Sequence, residues 1–528
     1  MKVKNTIFVV MIFVQLIFSF RIVIGQEIKP NVLLIMTDQQ VWNALGYAGN
    51  DEIKTPNLDK LAREGAYFKQ AVTPCAVCVP ARTSILTGKL LETTGVRCNK
   101  DAEKDIGSPS FDEFLVTDGF KSEYYGKFHA PANLIDIYSN PEIDGMSRKE
   151  QFLDWEKLYV KDLKENTKKK RLKKGELYET TFYGGTIPYE VSPMDRRYDY
   201  LPSGEIPTEE IEQRIYGQGD VHGILNLSVD KTITAVQGRQ ALEALDRLKD
   251  EQFILTCSFH CPHVPITPSQ KYVSMYDKKD ISIPESIHDS HSNIPYKPSR
   301  FQEKFSDEVL IKDMIVNYYA FVTEIDDWVG RILTKLDELE LTENTLVIFV
   351  SDHGEMLGAH GMRGKFNFYE ESVRVPFIIK LPNKIEPGQQ FDFPVSTLNI
   401  FPTILDYAGV AKKSNDGFSL REVMDGGTPK YDYAVTEWNW QNSSVPSIMI
   451  KTKKWKLMTT HRKGGADVDV LIDLENDPHE LNNLLGTNPN RFKYTSTVEN
   501  LREKLLAYLE DVNYPLIDGI TSRQIVKK

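Results

Sequence analysis

The chain carries the apolar run NVLLIMT at residues 31–37, which ends directly before Asp38, Gln39 and Gln40. An unbroken apolar run of this length is typical of a strand that is buried on both faces of a parallel sheet. Three other apolar runs share this design and are predicted to be strands: residues 120–126, 252–259 and 346–351. The connecting segments include amphipathic helices, predicted at residues 58–64, 237–249 and 316–339. The sequence therefore predicts an α/β fold built on a parallel sheet.

Polar side chains follow where each predicted strand ends. Asp38 follows the first run, Lys127 and His129 follow the run at 120–126, and Asp352 follows the run at 346–351. The remaining run is followed by HCPH, which ends at His263. In an open parallel sheet, ligands bind at the carboxyl ends of the strands. We therefore expect these side chains to converge, although they are spread over more than 300 positions.

A second informative stretch is CVPARTSILTG at residues 78–88. A helix tolerates proline in its first turn, so Pro80 predicts a helix whose positive end lies at Cys78. Arg82 lies one helical turn later and is expected to share the face of Cys78, where a guanidinium can hold an oxyanion. From these residues alone two other interpretations stay open: a buried cysteine before an ordinary helix, or a zinc or redox pair of Cys75 and Cys78.

The pattern Cys-x-Pro-x-Arg-x-x-x-Leu-Thr-Gly in this stretch resembles the signature of the type I, formylglycine-dependent sulfatases. The resemblance runs from about residue 30 to about residue 485 and includes further blocks: TPNLD at 55–59, GKFH at 126–129, PHVP at 262–265, SDHGE at 351–355, RVP at 374–376 and FPT at 401–403. It implies the alkaline-phosphatase-like fold, an α/β sandwich with a large mixed, mainly parallel sheet between helices. It also implies a small C-terminal α+β subdomain, with an antiparallel sheet formed by segments such as 451–457 and 471–478 and a helix near 497–509.

The resemblance implies that Cys78 is converted to formylglycine by a maturation enzyme. The hydrated aldehyde is a gem-diol: one hydroxyl attacks a sulfate ester, and the other later expels sulfate as the aldehyde re-forms. This is covalent catalysis by a nucleophile that no ordinary side chain supplies.

The resemblance also implies a calcium or magnesium ion, held by Asp38, Gln39, Asp352 and His353 together with residue 78. A divalent cation at that place would act as a Lewis acid on a sulfate oxygen. Gln39 stands where most family members have a second aspartate, and His353 where many have asparagine, so both departures leave the choice of metal open. The alternative for Asp38 is an ordinary turn residue.

Five further positions match catalytic positions of the family. Lys127 and Lys365 match lysines that clamp sulfate oxygens. His129 matches the histidine that takes a proton from the gem-diol, and His263 matches the one that protonates the departing sugar oxygen. Arg82 matches the arginine of the signature. Taken singly, each lysine is typical of a solvated surface charge and each histidine of a hydrogen-bonded polar residue; their joint spacing favours the catalytic interpretation.

Composition and the N-terminus complete the picture. The chain has 528 residues, 41% of them hydrophobic and 26% charged, and a formal net charge of -11, which argues against nucleic acid as a partner.

Residues 1–25 are predicted to be a signal peptide, with a membrane anchor as the alternative. We therefore expect an exported protein, periplasmic or secreted, without stable membrane insertion. We expect a catalytic domain at 26–412 and a C-terminal subdomain at 413–528. Export permits disulfides, and Cys257 and Cys261 are candidates for a pair.

The sequence indicates the class of substrate rather than one compound. We expect a sulfated polysaccharide or its oligosaccharides, with an algal glycan such as ulvan weakly favoured over a glycosaminoglycan. The alternatives are a phosphonate monoester or phosphodiester hydrolase of the same superfamily, and an inactive homologue that binds sulfated glycans. Candidate residues for substrate specificity are His222, Arg97, His360, Arg363, Asn367, Trp438 and Trp440. A basic segment at 168–174 is either a solvated loop or an attractant for a polyanionic glycan.

Overall fold

The computed structural model describes residues 29–142, 151–152, 229–230, 232–264, 266–297, 304–438, 446–460, 469–523 and 525. The predicted signal peptide and the basic segment at 168–174 lie outside these residues, as do His222 and Trp440. The strands of the described part are β1 Asn31–Asp38, β2 Ala66–Val72, β3 Lys121–Gly126, β4 Phe253–Pro262, β5 Thr345–Ser351, β6 Phe377–Lys380, β7 Gln389–Ser396, β8 Ala434–Glu437, β9 Ile448–Lys451, β10 Trp455–Thr459 and β11 Val470–Asp473.

The α-helices of the described part vary from four to 31 residues in length. They are α1 Pro56–Arg63, α2 Cys78–Thr87, α3 Leu91–Thr94, α4 Phe111–Thr117, α5 Ile233–Leu248, α6 Gln270–Val273, α7 Glu308–Glu338, α8 Glu370–Val373, α9 Ile400–Tyr407, α10 Arg421–Met424, α11 Thr495–Asp511 and α12 Ile517–Thr521.

Seven strands form one large sheet in the order β3-β4-β1-β5-β6-β2-β7. All neighbouring pairs are parallel except those of β6, which is antiparallel to β5 and β2. The sheet is mixed and mainly parallel, as predicted. The four strands predicted from apolar runs are the neighbours β3, β4, β1 and β5, so their carboxyl ends lie side by side at one edge.

Helices cover both faces of this sheet. Along β1, Leu33 and Ile35 pack into a core cluster with residues of α1, α5 and α7, whereas Val32, Leu34 and Met36 pack into a second cluster with residues of α2, α4 and α9. Alternate side chains of a strand point to opposite faces, which explains why residues 32–36 are all apolar. The fold is the predicted α/β sandwich.

A separate antiparallel sheet has the order β11-β10-β9-β8. Its residues Val435, Ile450 and Leu457 share a core cluster with Val498 and Leu501 of α11. The predicted antiparallel sheet and closing helix are therefore present. The domain boundary between residues 412 and 413 stays a prediction.

Helix α2 is buried on every side, since all ten of its residues are buried. It begins at Cys78, directly after Val77 in an extended conformation, and its C-cap is Gly88 with a φ of 65°. A Cβ atom at Gly88 would lie 2.8 Å from the ring of Phe401, so the turn that ends α2 requires glycine for its conformation and for space. Such a helix holds its first residue in a fixed place.

Two predictions about β4 require correction. The strand continues to Pro262 rather than ending at Phe259, because it pairs with β1 as far as Asp38 and His260 and Cys261 are buried within it. Cys257 and Cys261 lie four residues apart in this strand, about 13 Å along it, which exceeds the roughly 7 Å that a disulfide can bridge. All five cysteines belong to the described part, and all five are free.

The predicted helices are confirmed, with shifted ends. The largest difference is at α7, which begins at Glu308 because Asp307 accepts hydrogen bonds from the backbone N–H groups of Val309 and Leu310. Within the described ranges, no helix combines the length and apolar character that a membrane span needs.

Candidate active site

The carboxyl ends of β3, β4, β1 and β5 form the floor of the site. Gly126 ends β3 with a φ of 91°, and a Cβ atom there would lie 2.0 Å from the carbonyl oxygen of Ser258 in β4. This close approach lets the N–H of Lys127 donate to that carbonyl at 3.0 Å. The chain therefore turns from β3 into the site at a position that only glycine fits.

Arg82 binds the groups at these strand ends together. Its Nε donates to Asp352 Oδ2 at 2.8 Å and its Nη2 to Asp38 Oδ2 at 3.2 Å. Its Nη1 donates to the carbonyl oxygen of Lys127 at 2.5 Å and to Ser258 Oγ at 2.8 Å. The guanidinium is fully buried, and its donors face protein oxygens. Two buried carboxylates thus require the charge of Arg82. That Arg82 also holds an oxyanion stays a prediction.

The two carboxylates interact strongly. Burial favours the neutral form of Asp38, but Lys127, whose Nζ lies 2.6 Å from Asp38 Oδ2, and the other nearby cations hold the pKa of Asp38 well below its usual value. Burial and the charge of Asp38 raise the pKa of Asp352. A cation bound between the two carboxylates would therefore relieve their mutual repulsion.

Cys78 lies against this pair of carboxylates at the first residue of α2. Its Sγ is 4.0 Å from Asp38 Oδ1 and 3.1 Å from His353 Nε2. Burial and Asp38 oppose ionisation of the thiol, but Lys365, Lys127 and His353 hold the pKa of Cys78 well below its usual value. By contrast, burial raises the pKa of the Cys75 thiol well above its usual value. The two cysteines thus lie in opposite electrostatic environments.

A divalent cation fits the geometry of this cluster. Ligand atoms of Asp38, Cys78, Asp352 and His353 all lie within 4.8 Å of one another, and calcium takes oxygen ligands at about 2.3–2.6 Å, so ligands on opposite sides of it are separated by about 5 Å. Arg82 binds the Oδ2 atoms of both aspartates, which leaves the Oδ1 atom of Asp38 on the side of Cys78. The donors are carboxylate oxygens and an imidazole nitrogen, which suit a divalent cation.

The orientation of His353 also fits a metal ligand. Its Nδ1 lies 3.0 Å from the carbonyl oxygen of Gly354, which can only accept, so Nδ1 carries a proton. Nε2 is then the ring nitrogen that faces the cluster, and it would bind a cation in its unprotonated form.

Gln39 and Lys365 complete the same side of the site. Lys365 Nζ donates to Gln39 Oε1, and Gln39 Nε2 donates to Glu355 Oε2. The backbone N–H of Gln39 donates to Asp352 Oδ1 at 3.0 Å. All of these groups are buried. Lys365, which lies 13 positions after Asp352, is thereby brought to the strand ends.

The histidines lie along β4 and after β3. His263 follows β4, and burial, followed by the charges of Lys127 and Lys365, lowers its pKa to about 4. The ring of His260 lies 5.1 Å from that of His263. His129 lies two residues after Lys127 in a left-handed conformation with a φ of 44°, and its buried Nδ1 has no hydrogen-bond partner within the described residues.

The candidate specificity residues separate into different places. Arg97 is half-exposed and pairs with Glu92, and His360 is buried, bonded to Asp289 and stacked on Tyr369. Asn367 caps the N–H of Tyr369, and Arg363 lies 4.0 Å from Glu355. Trp438 is buried with its ring 6.3 Å from that of Phe366.

Two residues of the site were missed by the sequence analysis. Phe366 follows Lys365 directly and is 41% exposed. Its φ is 81°, a value that residues other than glycine rarely adopt. Glu355 is buried and contacts Gln39, although the sequence shows it only as part of the SDHGE block. Neither has a sequence signal beyond adjacency to a candidate residue.

Comparisons with known families agree with this geometry. The pattern of the family described as Sulfatase matches residues 30–410. A second pattern, described as N-sulphoglucosamine sulphohydrolase, C-terminal, matches residues 358–511.

Individual relatives extend over most of the chain. An ulvan-active sulfatase of Formosa agariphila is 30% identical over 472 residues, covering 87% of this chain and 77% of the relative. An arylsulfatase of Clostridium perfringens is 29% identical over 507 residues, covering 93% of this chain and 96% of the relative. The crystal structure of the phosphonate monoester hydrolase of Agrobacterium radiobacter superimposes with a TM-score of 0.68 at 22% identity, covering 92% of this chain and 96% of that one.

We predict that the cluster binds calcium or magnesium and that the aspartates are required. Titration of metal-free protein with either ion should raise the melting temperature, because a ligand that binds only the folded state stabilises it by about 2.7 kcal/mol at 100 times its Kd. Asp352→Asn should abolish this rise, since it removes one of the two buried carboxylates. The matched control is Asp112→Asn, another fully buried aspartate, bonded to Ser122 rather than to the cluster. An equal rise for Asp352→Asn and the native protein would contradict the assignment.

Proposed function

Because this chain belongs to the sulfatase family, we propose that it removes sulfate from a sulfated polysaccharide or its oligosaccharides, with oxidised Cys78 as the nucleophile. The chain is a sulfuric ester hydrolase, as its family and named relatives are. The observation that carries the finer proposal is that Cys78, two carboxylates bound by Arg82, and the cations Lys127 and Lys365 meet at one sheet edge.

Each part of the nucleophile's surroundings has a role in this proposal. Oxidation of Cys78 to formylglycine by a maturation enzyme, followed by addition of water to the aldehyde, would supply a hydroxyl nucleophile. A cation on Asp38, Gln39, Asp352 and His353 would polarise the sulfate group. Arg82 donates to both aspartates and so fixes their orientation, which makes it a positioning residue. The complete burial of α2 keeps residue 78 in register with them.

Lys127 and Lys365 are proposed to hold the sulfate oxygens. Their pairing with Asp38 and with the Gln39 amide oxygen fixes both ammonium groups before substrate arrives. Preorganised charges of this kind stabilise charge that develops in a transition state without reorganisation.

His263 and His129 are proposed to move the protons. The low pKa of His263 favours a neutral ring in the free site. An anionic sulfate ester bound between Lys127 and Lys365 would offset these charges and favour protonation of His263. The protonated ring can then give its proton to the sugar oxygen as it leaves. For His129, the unpartnered Nδ1 supports a role in accepting the later proton.

A sugar is proposed as the leaving group because of the aromatic surface beside Lys365. Phe366 is exposed next to this lysine, with its ring 6.3 Å from that of Trp438 and inclined by 28° to it. A conformation that disfavours side chains persists mainly where function uses it, and an aromatic ring suits the apolar face of a sugar. The ulvan-active relative supports an algal glycan as the substrate class.

One alternative has a specific observation in its favour. The pairs Asp38-Gln39 and Asp352-His353 also resemble those of formylglycine-using phosphonate monoester hydrolases, and one such enzyme shares the fold. A phosphonate monoester or phosphodiester is therefore the second candidate substrate. We propose export to the periplasm or outside the cell from the N-terminal sequence alone.

Oxidation of Cys78 is the first prediction of this proposal. When the protein is produced with a maturation enzyme, the peptide of residues 70–82 should be about 18 Da lighter than its cysteine form, the change from thiol to aldehyde. Activity should rise with the oxidised fraction, and Cys78→Ala should be inactive. Cys75→Ala is the matched control in the same peptide and should keep the mass loss. Full turnover by wholly unoxidised protein would exclude the mechanism.

The second prediction concerns His263 and the leaving group. His263→Ala should reduce kcat/KM for sugar sulfates about a hundredfold more than for an activated aryl sulfate, whose phenolate needs no proton. The exposed His288, substituted by alanine, is the control. In the native enzyme, the ratio of sugar to aryl kcat/KM should increase as pH falls and level off only below about 4, because the acid must be protonated and its pKa is about 4. Equal losses on both esters and a pH-independent ratio would show that His263 is not the acid.

A further inference from the structure

The side-chain amide of Gln39 lies between two groups of opposite charge. Its Nε2 donates to Glu355 Oε2, and its Oε1 accepts from Lys365 Nζ. An ammonium group can only donate and an ionised carboxylate can only accept. The amide therefore has one orientation that satisfies both neighbours, with its oxygen toward Lys365 and its nitrogen toward Glu355.

The carboxylate of Glu355 is itself held by donors. The backbone N–H groups of Gly364 and Leu357 donate to Oε1 at 2.5 and 3.2 Å, and Arg363 Nε lies 4.0 Å from the same oxygen. Glu355 is 1% exposed. It therefore joins Gln39 after β1 to the loop that carries Lys365, and every group around its carboxylate is a donor.

The backbone of Gln39 is fixed independently of this contact. Its N–H donates to Asp352 Oδ1 at 3.0 Å, and its carbonyl accepts from the hydroxyl of Tyr318 at 2.6 Å. Its φ is 70°, in the left-handed region. The orientation of the side-chain amide is the freedom that remains, and Glu355 removes it together with Lys365.

We propose that Glu355 is a positioning residue that turns the side-chain oxygen Oε1 of Gln39 toward Lys365 and the cation cluster. Glu355 thereby requires an amide at position 39. A carboxylate at that position would lie against Glu355, and two buried carboxylates in contact cannot both stay ionised at low cost. This accounts for the glutamine at a position where most members of the resembled family have an aspartate. The second acid of the site is Glu355, which lies one hydrogen bond farther from the cluster. The part of this inference that concerns the cation rests on the proposed function.

A double-mutant cycle tests the pairing without any cation. In metal-free protein, Gln39→Glu should lower the melting temperature by about 3 °C or more, because it sets two carboxylates together. The exchange Gln39→Glu with Glu355→Gln restores one amide and one carboxylate, with the new amide donating to position 39, and should recover most of the loss. Failure of the exchange to recover any of it would overturn the pairing.

Calcium affinity tests the positioning. By calorimetry on folded protein, Glu355→Gln should weaken calcium binding about tenfold or more, since the amide loses its enforced orientation, and the exchange variant should bind better than Gln39→Glu alone. The matched control is Glu371→Gln, a carboxylate of α8 whose buried Oε2 accepts no hydrogen bond from described residues.

The outcomes separate the two claims. Native affinity in Glu355→Gln would overturn the positioning role. Absence of calcium and magnesium binding by the native protein would instead contradict the proposed cation, while the melting-temperature cycle would still decide the pairing of Gln39 with Glu355.

Discussion

The site depends on one buried ion cluster, in which the guanidinium of Arg82 binds Asp38 and Asp352 at 3.2 and 2.8 Å. The three residues come from α2, β1 and the end of β5, and a further contact to the carbonyl of Lys127 adds the residue that follows β3. Removal of one partner of a buried ion pair typically costs about 3–5 kcal/mol, because it leaves a charge without compensation. The helix that carries Cys78 is therefore fixed to the sheet edge by the same interaction that orients the aspartates.

The charges of the site oppose those of the whole chain. The formal net charge is -11, yet Arg82, Lys127 and Lys365 surround two aspartates in a buried space. At low dielectric such charges act over short distances far more strongly than in water. A chain that repels polyanions on average can thus hold a sulfate group at one place.

Periodicity predicted the sheet edge, but it could not predict the contacts across it. The apolar runs before Asp38, Lys127 and Asp352 predicted three strands well, since a strand buried on both faces leaves a strong signal. The predicted end of β4 was wrong because the side chains of His260 and Cys261 do not continue the apolar run, although both are buried in the strand. The charge on Arg82 was visible, but its partners lie up to 270 positions away.

The roles of Glu355 and Phe366 depend on three-dimensional contacts in the same way. The sequence around Glu355 does not distinguish it from a surface glutamate; only its contact with Gln39 does. The left-handed conformation of Phe366 has no signal in the sequence. The central claim is that this site hydrolyses sulfate esters in preference to phosphonate esters. The most direct measurement compares kcat/KM for a sulfate ester and a phosphonate monoester of the same alcohol, using protein with oxidised Cys78. We expect faster release of sulfate, whereas faster hydrolysis of the phosphonate would identify the site as that of a phosphonate hydrolase.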